Sequence, residues 1–132
     1  MRPAILALIL AAAGAAAAET PASIQAAFAT QARSENAAFT AFSADRGRAF
    51  FATTHGKHWS CSSCHTPNPA AQGRHAVTGK AIAPLAPAAN PERFTDSAKV
   101  DKWFRRNCND VVGRPCTAQE KGDVLAWLLA TR

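Results

Sequence analysis

Cys61-Ser62-Ser63-Cys64-His65, with no methionine anywhere after it, constrains this chain more than any other feature. C-x-x-C-H is the attachment signature of a c-type haem. Two thiolates add across the haem vinyl groups, and the adjacent imidazole becomes the proximal iron ligand. In a helical turn the three side chains fall at i, i+3 and i+4 and so face one way. One covalently pinned macrocycle requires that arrangement, and its apolar face gives loose loops something to pack against. The only methionine is Met1. A Met/His-ligated electron carrier is therefore excluded unless another chain supplies the thioether.

Residues 1–18 read as a cleaved secretory signal. Arg2 gives a positive start, Ile5 to Leu10 form the apolar core, and Ala16-Ala17-Ala18 offers a small-residue cleavage site. A retained anchor is the alternative. No second long apolar stretch follows, so no stable membrane insertion is expected after cleavage. The expected location is the periplasm, where haem attachment and disulfides are both permitted. Of the four cysteines the haem uses Cys61 and Cys64. Cys108 and Cys116 remain, and in an oxidising compartment they can form a disulfide.

The chain carries fifteen Lys+Arg against nine acids, a net charge of +6. Nothing resembles a nucleic-acid module. A basic rim drawn from Lys57, Lys80, Lys99, Lys102, Arg105 and Arg106 suits docking to an acidic redox partner, while a solvated face is the bland reading of most of them.

Along the chain, Thr20-Pro21 is a helix start, and Ile24, Ala27, Phe28 and Gln31 follow at helical spacing, which predicts a helix over 21–33. Asp45 opens a second helix carrying Gly47, Phe50 and Phe51. From His55 to Ala89 repeated Gly and Pro leave a loop-rich segment in which only the haem-cysteine turn is helical. Trp59, Ile82 and Leu85 are the expected haem contacts there. Val100, Trp103, Phe104 and Asn107 form one stripe of a helix from about 96 to 108. Thr117-Ala118-Gln119-Glu120 is a capping box opening a last helix, whose Trp127 is expected over Gly47 and Phe51. The reading is one all-α domain around one haem c.

Function turns on what faces the iron opposite His65. His55, His58, His75, a lysine, an amide or nothing are the candidates. Asn107 is the odd residue on an apolar stripe. It either caps the helix end or reaches the iron, with Trp103 and Phe104 lining the same pocket. Periodicity leaves the two readings even.

The stretch Thr78-Gly79-Lys80-Ala81-Ile82-Ala83-Pro84-Leu85-Ala86-Pro87 resembles the Sphaeroides haem protein family of high-spin, oxygen-binding cytochromes c. So do Pro91 to Val100, Lys102-Trp103, Arg106-Asn107-Cys108-Asn109, Gly113-Arg114, Cys116-Thr117 and Leu125 to Leu128. The resemblance implies a class I-like cytochrome c fold over 44–132 with an extra N-terminal helical segment over 19–43. It makes Asn107 the distal ligand, which leaves the iron on reduction so that oxygen, nitric oxide or carbon monoxide binds. It pairs Cys108 with Cys116, names a dihaem cytochrome c as an electron-transfer partner, and makes the Pro84 carbonyl the group that orients His65. A plain electron carrier with a stable sixth ligand is the alternative. An oxygen- or nitric-oxide-reducing enzyme would need a distal acid/base group, and the sequence offers no assignable histidine–arginine pair for it.

Overall fold

The structure, a computed structural model, describes residues 18–132. The signal segment expected over 1–18 lies outside the described residues except for Ala18. Helix α1 spans Pro21–Glu35. Thr20 caps it, with Oγ1 accepting from the Ser23 N–H at 3.1 Å and Ser23 Oγ accepting in return from the Thr20 N–H at 2.9 Å. Helix α2 spans Ala44–Ala52 and is capped by Ser43. Helix α3, Cys61–His65, is the short turn that carries the C-x-x-C-H residues.

Strands β1 (Gly73–Arg74) and β2 (Ala81–Ile82) pair antiparallel, Gly73 opposite Ile82 and Arg74 opposite Ala81. This hairpin falls in the segment expected to be loop. Two residues per strand carry no alternation from which a strand could be read. Helix α4 follows at Ser97–Val111 and helix α5 at Ala118–Ala130. The Thr117–Glu120 capping box forms as expected, with Thr117 Oγ1 accepting from the Glu120 N–H and Glu120 Oε2 from the Thr117 N–H.

Helix α5 is the centre of the packing. Leu125 and Leu128 are fully buried. Leu125 joins Ile24, Phe28 and Val100 in one apolar cluster, and Leu128 joins Phe51 and Val124 in another. The Phe51 and Trp127 rings lie 4.9 Å apart, as the spacing predicts. Gly47 faces something else: a side chain there would land on the Asp123 carbonyl, so α2 and α5 meet backbone to backbone at that point. Only a residue without Cβ permits so close an approach.

The end of α1 and the residues just before it also supply acceptors to two other helices. Glu35 Oε2 accepts from the Ala118 N–H that opens α5 at 2.9 Å, and Glu19, just before α1, accepts from the Ser97 N–H that opens α4. Unpaired N–H groups at a helix start need such acceptors, and a carboxylate is favoured there by the helix dipole.

Candidate haem-binding site

Helix α3 is fixed from both ends. Ser63 Oγ accepts from the Ser60 N–H at 3.0 Å at its start. Thr66 ends it at a φ of 63°, a left-handed conformation that side chains rarely adopt. The Thr66 hydroxyl holds that bend by donating to the Asn68 carbonyl at 2.6 Å and accepting from its N–H at 3.1 Å. Buried Gly73 lies against the Cys64 carbonyl, where a Cβ would overlap it. Strand β1 therefore packs directly on the α3 backbone, and the Ala76 N–H beyond it donates to Cys64 Sγ at 3.3 Å.

Cys61 and Cys64 are free of any disulfide and half-buried. Cys61 rests on the Phe51, Val124 and Leu128 cluster, together with Leu85, Phe94 and Phe104. As a free thiol it is pushed up to about 11, by burial first and by the nearby Cys64 to a smaller extent. His65 lies beside Phe51, ring centroids 6.1 Å apart. Burial, with a smaller contribution from the Arg93 charge, pushes its imidazole down to about 4. It is therefore neutral at pH 7, the form in which imidazole binds a metal.

No hydrogen bond joins the Pro84 carbonyl, the group expected to orient His65, to that histidine among the described residues. The carbonyl accepts from Arg93 Nε at 2.9 Å and from Asn90 Nδ2 at 3.3 Å, and Arg93 Nη2 is held by the Ala83 carbonyl at 2.8 Å. A carbonyl oxygen has two lone pairs, and a charged guanidinium is a stronger competitor for them than a neutral imidazole. No side-chain hydrogen bond of His65 is formed among the described residues.

Helix α4 presents the Val100, Trp103, Phe104 and Asn107 stripe. Phe104 packs edge-on against Phe28, centroids 5.8 Å apart. Trp103 is 45% exposed and carries the Arg106 guanidinium 5.7 Å from its ring centre. Asn107 does not cap the helix. The helix continues to Val111, and its end is formed by Val112 and by Gly113 at a φ of +79°. The capping reading relied on asparagine's tolerance of the left-handed conformation at helix ends, but the left-handed residue that ends this helix is Gly113. The half-buried Asn107 amide makes no hydrogen bond among the described residues. Cys108 and Cys116 form a disulfide with Cα atoms 5.7 Å apart, tying the last turn of α4 to the start of α5.

The histidines named as rivals have other engagements. His55 Nε2 lies 2.8 Å from the Phe50 carbonyl, and its ring packs 4.2 Å from that of Phe50. His75 Nδ1 accepts from the Val77 and Thr78 N–H groups, both at 3.2 Å. His58 is exposed, beside Trp59. Of the expected apolar contacts, Leu85 and Phe104 join the cluster around Cys61. Ile82 and Pro84 are half-buried in the hairpin and the loop after it, whereas Trp59 is 42% exposed and stands outside that cluster.

Three residues at this site went unread in the sequence. Phe94 packs with both apolar clusters from a backbone φ of 60°, and that conformation has no sequence signal in a phenylalanine. Asn90 and Arg93 meet the Pro84 carbonyl through loop geometry. Only the spacing of polar residues after a Pro-rich stretch hints at them.

These groups fit a covalently attached haem c. Two thiols at i and i+3 share a face with a neutral imidazole whose ring nitrogens have no protein partner. Leu85, Phe94 and Phe104 offer an apolar wall beside them, and α4 adds an amide with no partner of its own.

Residues 37–128 match the family described as a domain of unknown function, DUF1924. Over 100 residues the chain is 54% identical to the cytochrome c-type protein SHP of Cereibacter sphaeroides, covering 73% of this chain and 77% of the relative. A solved structure of oxidised SHP, described as an oxygen-binding cytochrome c, superposes with a TM-score of 0.76 at 47% identity, covering 86% of this chain and 99% of that one. The solution structure of Methylophilus methylotrophus cytochrome c'', described as giving insights into haem-ligand detachment, superposes with a TM-score of 0.71 at 42% identity. It covers 83% of this chain and 91% of its own.

Proposed function

The chain belongs to the DUF1924 family and is a haem c-binding cytochrome related to SHP and cytochrome c'', and from that premise we propose that it couples electron transfer to redox-gated binding of a small gas. Cys61 and Cys64 would hold one haem covalently, and His65 and the Asn107 carboxamide oxygen are the groups that would bind its iron. The observation that carries this reading is the amide itself. Asn107 sits half-buried inside α4, on the Trp103 and Phe104 stripe, with no hydrogen-bond partner among the described residues. Its amide oxygen and nitrogen keep solvent access, so the group is uncommitted and available to a metal. His55 and His75, its rivals, already serve the Phe50 carbonyl and the turn at 75–78.

The haem supplies a one-electron redox change and an iron that takes oxygen, nitric oxide or carbon monoxide. The chain supplies the gate. A neutral amide oxygen is a hard, weak donor, acceptable to ferric iron and poor for ferrous, so reduction favours its departure. Release needs only rotation between staggered side-chain positions, because the Cys108–Cys116 bridge pins the turn of α4 next to it. Phe104 and Trp103 stand one turn before Asn107 on the same helix, Phe104 in the apolar clusters and Trp103 exposed. The detachment described for the Methylophilus relative supports the same behaviour here.

We place the protein in the periplasm, exported by residues 1–18, with the helical extension over 19–43 preceding the cytochrome domain over 44–132. Lys99, Lys102 and Arg106, all exposed at i, i+3 and i+7 of α4, suit an acidic redox partner such as a dihaem cytochrome c. The test is a titration of the reduced protein with carbon monoxide and nitric oxide. The account expects fast, saturable changes in the visible spectrum at one gas per haem. A spectrum that stays unchanged would leave a plain electron carrier with a permanent sixth ligand.

A further inference from the structure

Helix α1 ends before residues 37–128, the segment that matches the DUF1924 family, yet it grips the helix that carries Asn107. Helix α4 lies less close to any other helix than α1 and α2 lie to α5. Its start is held by the Glu19 carboxylate on the Ser97 N–H. Its middle is held by Phe28. The Phe104 ring meets Phe28 edge-on, Val100 joins the same cluster, and Lys121 of α5 sets its ammonium 4.8 Å from the centre of the Phe28 ring. That ammonium also lies 3.9 Å from the Asp101 carboxylate of α4. Phe28 is thus enclosed by groups of α4 and α5 at once. The rest of the seam is not filled. A groove of about 340 Å³ lies between α1 and α4, bordered by Ser23, Ala27 and Gln31 on one side and by Ser97 and Asp101 on the other. The far end of α1 packs elsewhere: Ala32 joins Phe39 and Ala118 in a separate cluster, built from α1, the loop after it and α5.

We propose that Phe28, with Glu19, is a positioning residue for the gate, through which α1 braces α4 and so fixes where the Asn107 amide stands. Phe104 carries the constraint. It packs with Phe28 on one side and with the cluster that holds Cys61 on the other, and Asn107 follows it by one turn on the same stripe. A binding group must be held within about 0.5 Å of its productive place by the packing of its neighbours. Without the brace, α4 stays tied near its end by the Cys108–Cys116 bridge but gains freedom at its middle. The amide then spends less time on ferric iron. This rests on the reading of Asn107 as the distal ligand.

The experiment uses the haem-loaded protein and compares Phe28→Leu with Phe39→Leu. Both remove a buried ring from a cluster of α1, and only the first touches α4. The readouts are amide hydrogen exchange along α4 and the rate at which azide binds the ferric protein. Phe28→Leu should speed exchange over 100–107 and bind azide roughly fivefold faster than the parent, the scale set by an edge-on aromatic pair. Glu19→Ala, at an exposed site, should move both readouts the same way and by less. Phe39→Leu should lower Tm comparably and move neither. A Phe28→Leu protein with either readout unmoved overturns the proposal. So does a Phe39→Leu protein that binds azide as fast as Phe28→Leu, because the effect is then one of stability alone. If Asn107→Ala binds azide no faster than the parent, it is the amide reading that fails, and exchange along α4 in Phe28→Leu still decides the brace.

Discussion

Arg46 grips the buried Asp123 carboxylate through both oxygens, Nε to Oδ2 at 2.8 Å and Nη2 to Oδ1 at 2.9 Å. The Ser43 N–H adds a third donor, to Oδ1 at 2.7 Å. Asp123 is 4% exposed in the middle of α5, so this fork locks the start of α2 to the helix at the centre of the fold. Arg46→Ala leaves a buried carboxylate with one donor. Hydrogen bonds to charged groups contribute about 1.5–3 kcal/mol, and a loss of about 2 kcal/mol is expected in denaturant unfolding of the haem-loaded protein. The haem spectrum should not change, because the fork lies outside the donor set at 61, 64 and 65.

Two glycines separate stability from haem attachment. Gly47→Ala drives a methyl into the Asp123 carbonyl at the α2–α5 crossing. Overpacking of this kind costs about 1–3 kcal/mol, and the loss should appear as a lower Tm. Gly73→Ala drives one into the Cys64 carbonyl, behind the attachment turn. Its expected signature is a reduced yield of covalently bound haem per chain, measured as pyridine haemochrome against protein.

The Cys108–Cys116 bridge closes a loop of sequence separation 8 and sits next to Asn107. Replacing both cysteines with serine should cost about 2–3 kcal/mol in the loop-entropy account. It should also loosen the turn that aims the amide. Added azide or cyanide should then bind the ferric protein faster than it binds the parent.

Glu120 gives a pH dependence with a definite sign. Burial by itself would raise its carboxyl, but the Arg114 guanidinium and the Thr117 N–H outweigh that and hold it below the ordinary value of 4.5. A carboxyl lowered by folding contributes stability that is present above its unfolded value and lost as the pH falls through the folded one. Stability from this group should therefore be constant above about pH 4.5 and decline below it. Glu120→Gln should lose about 1 kcal/mol at pH 7, since Arg114 is largely solvent-exposed, and should converge on the parent in acid.

How much of this was legible depended on whether the signal was local. The Thr117–Glu120 capping box and the α3 donor turn are written in a few adjacent residues. The Cys108–Cys116 pair followed from counting cysteines in an exported chain. The helix expected to end at about 108 runs on to Val111, because the apolar stripe gives no end point and the stop is Gly113 in a left-handed turn. The fork between Arg46 and Asp123 and the capture of the Pro84 carbonyl by Arg93 and Asn90 were invisible. Each joins residues by tertiary or loop geometry, and no periodicity marks them. A buried aspartate in a helix otherwise rich in leucine was the one available clue to the first.

The most direct measurement is electron paramagnetic resonance of the ferric protein at neutral pH, beside Asn107→Ala and Asn107→His. A carboxamide oxygen is a weak-field ligand, so the parent should give a high-spin signal. The alanine variant should remain high-spin and take up added anions, and the histidine variant should turn low-spin. A low-spin parent signal of the bis-imidazole type, unaltered by replacing Asn107, would contradict the account.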